Sequence, residues 1–193
     1  GSYIIYTPIF SVLILKKKPY KSSIIGVLLA FIGLLVMTLR WNLNLSVGEL
    51  YLILNAIFLA LHIIYVDKLS RVYNLFVLVF IQFLTMTILF YISLILSGGP
   101  IIKIDYSPYA IFSVTYTAVF ASVAAYLVQI GLQRYTTPTK TAVLFAAEPL
   151  SAPFFSYFII GEVLQVKQYI GALLIIVGIL VSEIGSAKRK KVE

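Results

Sequence analysis

The chain has no cysteine, one histidine and seven acidic residues among its 193. Without cysteine there is neither a disulfide nor a thiolate metal site. One His and a few scattered carboxylates form no cluster of the ligands or activated nucleophile that a membrane-embedded transferase needs, which makes that the less favoured alternative. The expectation is no enzyme, no cofactor and no metal. Charge is scarce too, at 11% of residues, where a soluble domain carries about 25%. The polar joints between apolar runs are too short to hold a soluble domain.

Apolar residues fill the chain, at 61%, with a mean hydropathy of +1.03. Seven stretches (about 3–15, 23–39, 48–66, 74–97, 108–132, 138–160 and 166–185) reach or approach the roughly 17–25 residues that cross a bilayer. Only the first is short. The fold class expected is all-α, a polytopic transmembrane helical bundle whose main partner is the lipid bilayer. No span carries the mid-membrane lysine that a retinal Schiff base requires, which excludes a seven-helix retinal protein.

A net charge of +8 is compatible with a nucleic-acid partner, but its placement argues against one. Alternate joints hold Lys16, Lys17, Lys18 and Lys21, then Lys68 and Arg71, then Arg134 and Lys140, then Lys188 to Lys191. The opposite joints hold only Arg40, Lys103 and Lys167. Short loops rich in Lys and Arg stay cytoplasmic, so the C-terminus is expected inside a plasma membrane that the chain crosses many times. The basic tail, 188–193, anchors that topology near anionic lipid. Asp67 and Lys68 are expected to cap a cytoplasmic helix end in contact with water. The Asn44-Leu45-Ser46 triplet is read as an accidental glycosylation match in an outer turn.

The most informative pattern is a duplication. A shift of 145 residues lays 8–36 on 153–181 without a gap, matching Pro8 with Pro153, Ser11 with Ser156, Gly26 with Gly171 and Gly33 with Gly178. The joint inside the first copy is basic, and the one inside the second, with Glu162 opposite Lys17, is nearly neutral. Copies of one hairpin with opposite flanking charge mark inverted-topology repeats, the plan of many secondary transporters. The second copy closes a five-span unit, 46–187. An equal first unit would start about a hundred residues before Gly1, so 1–45 is expected to be its truncated end, and the chain the last seven of ten helices.

Glu148-Pro149-Leu150, Ile160-Gly161-Glu162, Gln168 with Gly171-Ala172, and Gly178 together resemble the closing hairpin of EamA-type carriers in the drug/metabolite transporter superfamily. Pro8 to Gly33 is similar to the matching hairpin of their first half. The resemblance implies inverted five-helix repeats around a central cavity, both termini cytoplasmic, and export of small metabolites such as amino acids. Lys17 departs from it, because the first half of the family commonly has an acidic residue there.

Polar groups inside the spans are the candidate site. Glu148 lies about 13 Å along its helix from Thr139, close to mid-bilayer, followed by Pro149, which frees the carbonyl of Phe145, and by Pro153. A carboxylate beside a bent helix suits a substrate or proton site. Tyr51, Asn55 and His62 fall within about 40° of one another on the third span, and Thr115, Ser122, Tyr126, Gln129 and Gln133 form a similar line on the fifth. Gln82 stands alone on the fourth. Each group either lines a cavity or hydrogen-bonds between helices. The seven residues expected to touch a small-molecule substrate are Glu148, Asn55, His62, Ser122, Tyr126, Gln129 and Gln82. Glu148 would bind a cationic or zwitterionic solute or carry a proton, giving proton coupling, and His62 could relay one. The leading expectation is an alternating-access exporter, with a non-transporting fragment or assembly subunit as the alternative. Nothing in the residues fixes the solute or the oligomeric state.

Overall fold

The computed structural model describes residues 1–38, 47–98, 107–161 and 165–190. Arg40, the Asn44 triplet, Lys103 and Glu162 fall outside them. Among the described residues every element is helical: α1 (Tyr3–Leu15), α2 (Lys21–Thr38), α3 (Val47–Leu69), α4 (Leu75–Leu96), α5 (Pro108–Tyr116), a π-helical segment (Thr117–Ala124), α6 (Ala125–Gln133), α7 (Pro138–Phe145), α8 (Glu148–Ile160) and α9 (Val166–Lys190). Six helical runs are long and apolar enough to cross a membrane, with Tyr3–Leu15 a shorter seventh. The basic stretch from Lys188 to Lys190 continues α9.

Helix ends follow local chemistry. Asn74 accepts the Phe76 N–H at 2.9 Å and Ser107 that of Ala110 at 3.2 Å, each satisfying a donor left over at a helix start. Pro108 and Pro138 open their helices, where a missing N–H costs nothing.

The chain divides into two compact units, Gly1–Tyr65 with Thr136–Glu193, and Val66–Tyr135. In the first, α2 and α9 run antiparallel in close contact. A Cβ on Gly26 would stand 2.5 Å from the Gly178 carbonyl oxygen, and one on Gly33 would stand 2.6 Å from that of Gly171. Neither could be accommodated without moving backbone. The next neighbours are Ser182 for Gly26, Ile175 for Gly33, Met37 for Gly171 and Ala30 for Gly178. Adding 145 to the α2 position of a pair and subtracting 145 from the α9 position returns another observed pair: Gly26–Ser182 becomes Gly171–Met37, and Gly33–Ile175 becomes Gly178–Ala30. The contact is its own image under the duplication, as a two-fold axis across the helices would make it. Between helices in lipid, such small-residue seams bring backbones close enough for dispersion to hold them.

The helices preceding these two end alike. Lys16 closes α1 at φ 54° and Gly161 closes α8 at φ 72°, each left-handed, with cap N–H groups bonded to the carbonyls of Ser11 and Ser156. Lys16 and Gly161 are 145 apart, as are the two serines. A left-handed cap is natural for Gly and costs a side-chain-bearing residue about 1–2 kcal/mol, so the first copy holds the geometry against its own residue.

The core of this unit gathers Ile4, Val27, Ala30, Leu34, Ala56, Ala60, Ile63, Ala142, Val143 and Ile175 around Tyr3 and Ala146. In the second unit Val66, Val79 and Ile130 form a smaller core with Leu75, Leu78, Phe83, Tyr126 and Leu127 around them. Most large apolar side chains on α4 are exposed, a surface suited to hydrocarbon.

Two spans depart from the unbroken helices the sequence suggests. The sixth is split at Ala146–Ala147 into α7 and α8, and the fifth contains the π-helical segment. Asp67 also departs from expectation. It is fully buried and accepts a 2.8 Å ion-paired hydrogen bond from the Arg71 guanidinium. A buried carboxylate needs such a partner to remain charged, and the i,i+4 spacing supplies it.

Candidate functional site

The break in the sixth span is local chemistry. Pro149 has no N–H for the Phe145 carbonyl. The Leu150 N–H bonds to Ala147 at 3.0 Å, and those of Ala146 and Ala147 bond three residues back, to Val143 and Leu144. These tighter turns end α7 and restart the helix at Glu148. The carboxylate thus stands in the first turn of α8, where backbone N–H dipoles favour negative charge. Glu148 is exposed, and the Ser151 hydroxyl donates to its backbone carbonyl at 2.7 Å, closing the turn behind it. Tyr3, at the position of α1 that the duplication equates with Glu148, is buried within electrostatic reach of that carboxylate.

A second polar device joins the same span to α9. The Lys140 ammonium, mostly buried, donates to a Glu183 carboxylate oxygen at 3.0 Å. This tie between α7 and α9 bridges 43 positions of sequence, too far apart for helical spacing to reveal it.

The expected polar lines are only partly kept. On α3, Asn55 and Tyr51 are exposed and His62 is half-buried. The α3 residues in the core of the first unit are Ala56, Ala60 and Ile63, about 80–140° around the axis from Asn55. The line therefore borders the core without entering it. In the second unit Ser122, Tyr126 and Gln129 are half-buried, as is Gln82 on α4. The Tyr126 ring tilts against Phe83 at 5.3 Å, placing Gln82 and Tyr126 beside the same α4–α6 contact.

Two observations bear on the fifth span. Gln133 is 2% exposed, as the second of the two readings, hydrogen bonding between helices, expects. Thr115 is separated from Tyr126 and Gln129 by the π-helical segment, which itself contains Ser122; its turns take roughly one residue more than α turns, and Thr115 so leaves the line. Among the described residues, no group of three His, Asp or Glu stands close enough to hold a metal ion.

Membrane-length helices, one of them discontinuous and reopening on a carboxylate, and a self-symmetric antiparallel contact together define a polytopic helical membrane protein. Residues 46–183 match the EamA-like transporter family, and the chain belongs to it. An uncharacterized transporter of Archaeoglobus fulgidus is 29% identical over 181 residues, covering 94% of this chain and 57% of that protein. An uncharacterized transporter of Clostridium kluyveri is 22% identical over 185 residues, covering 92% and 59%. The chain thus spans less than two thirds of the length of these relatives. No solved structure matches it.

Proposed function

We propose that the protein is a secondary carrier that exports a small metabolite, such as an amino acid or related solute, across the plasma membrane by alternating access. The observation that carries this reading is the helix break at Ala146–Ala147, which presents Glu148 at a helix start inside a membrane-length run. Broken helices of this kind are how carriers build midplane sites, because freed backbone groups and a helix dipole do the binding. Glu148 holds a cationic or zwitterionic solute or carries the coupling proton. Asn55, His62, Gln82, Ser122, Tyr126 and Gln129 are the further side chains proposed to hydrogen-bond the solute.

The self-symmetric α2–α9 contact and the matched caps at Lys16 and Gly161 support reading 1–45 as the end of one repeat and 46–187 as its inverted partner. With the basic joints inside, the C-terminus is cytoplasmic. Lys140–Glu183 then ties the cytoplasmic end of the broken span to α9.

The test is a solute screen with the full-length protein in proteoliposomes, with and without a proton gradient. Accumulation of one solute class, lost in Glu148→Gln, is the expected result. Transport indifferent both to that substitution and to the gradient would remove Glu148 from the mechanism.

A further inference from the structure

The π-helical segment Thr117–Ala124 has no local cause. It contains neither Gly nor Pro, and three of its eight residues are Ala, the strongest α-helix former. Nothing in its composition forbids an α-helix, yet eight consecutive residues take the rarer form, which recurs at functional positions. Neither the segment nor α5 before it contains a buried residue. The helix after it is seated: Ile130 is buried with Val66 and Val79, Gln133 is buried, and Tyr126 rests on Phe83. One end of the span is held while the other can turn about its own axis without dismantling a core.

A π-helical segment adds roughly one residue of phase, about 100°. In an unbroken α-helix Thr115 would lie about 20° from Tyr126 around the axis. With the extra residue Thr115 stands about 80° away, and Val114 takes its place on the line of Tyr126 and Gln129. The geometry points to a register switch: interconversion of Thr117–Ala124 between π and α forms rotates α5 and exchanges an apolar Val114 for a hydroxyl-bearing Thr115 on the polar face. In the α form the hydroxyl of Thr115 joins Ser122, Tyr126 and Gln129. In the π form the face ends in a methyl surface. The segment therefore decides how many hydrogen-bonding groups a solute meets, which makes Val114 and Thr115 positioning residues of transport. This rests on the reading that the polar line borders a wet solute path.

The absence of cysteine makes the test direct. In the full-length protein, with any cysteine outside these 193 residues replaced by Ala, single variants Val114→Cys, Thr115→Cys and Gln129→Cys are reconstituted in vesicles. Each is exposed to a water-soluble methanethiosulfonate reagent. A two-state switch whose major form is π labels position 114 faster than position 115, by roughly tenfold or more, with slow but complete labelling at 115. Deleting Val119, which removes the extra residue, reverses the order. An inert position 115 means a fixed π form, and an inert position 114 means a fixed α-helix. Either overturns the switch without recourse to the deletion variant, should that fail to fold. Labelling at 129 with neither 114 nor 115 reactive sinks the switch while leaving the cavity reading intact, and an inert 129 as well sinks both.

Discussion

The hairpin of α1 and α2 and that of α8 and α9 share their scaffold and differ in their chemistry. Both turn through a left-handed cap bonded to a serine carbonyl at the same relative position. Both contribute two glycines, seven residues apart, to one antiparallel seam. At the position that opens the second hairpin with Glu148, the first has a buried tyrosine. What a duplication must preserve is the close approach of backbones, because only Gly fits there. Polar groups such as Glu148 are free to diverge, since no close backbone approach constrains them. The comparison separates residues that hold the bundle from residues that differ between the copies.

That separation can be broken most severely at the seam. Gly26→Leu or Gly178→Leu forces a side chain into a backbone carbonyl, at a cost of about 3 kcal/mol or more, and should show as loss of the folded species in detergent unfolding titrations. The milder pair Gly26→Ala and Gly171→Ala, equivalent under the duplication, should lower the midpoint by amounts within about 0.5 kcal/mol of each other. Unequal costs would deny the symmetry. At the unduplicated position, Glu148→Gln should cut solute flux in proteoliposomes at least tenfold, an effect of about 1.4 kcal/mol. Tyr3→Phe should leave flux within about twofold, because it removes a hydroxyl and no charge.

Smaller effects sharpen the caps. Gly161→Ala should destabilise by about 1 kcal/mol, since it puts a Cβ into a left-handed turn. Lys16→Gly should stabilise by about 0.4–1 kcal/mol by relieving the same conformation. Opposite signs at equivalent positions, measured by thermal unfolding, would establish a shared cap. Smallest of all, a double-mutant cycle on Lys140→Ala and Glu183→Ala should return a coupling of about 1 kcal/mol or less, as expected for a partly exposed pair.

The spans were legible because the bilayer demands long apolar runs and the composition supplies them. The seam was half legible: the 145-residue shift marks Gly26 and Gly33 as the counterparts of Gly171 and Gly178, but not that each pair crosses over to meet the other. Pro149 pointed to a bend near Phe145, though complete separation into α7 and α8 also needs the short-range bonds of Ala146, Ala147 and Leu150. The π-helical segment left no mark, since residues 117–124 read as ordinary helix, and it displaced Thr115 from a line drawn at constant pitch. Asp67 was misread as solvated. The i,i+4 spacing to Arg71 was the available signal, and a carboxylate that finds its cation one turn away can be buried at a helix end. Lys140 and Glu183 were invisible as a pair, because only the packing of α7 on α9 brings them together.

The central claim is that the two hairpins insert upside-down relative to each other, and side-specific labelling tests it most directly. Lys17→Cys and Glu162→Cys variants of the full-length protein, in sealed right-side-out vesicles, are exposed to an impermeant thiol reagent before and after permeabilisation. The account predicts that position 162 reacts from outside at once and position 17 only after permeabilisation. Reaction of both from the same side would contradict it.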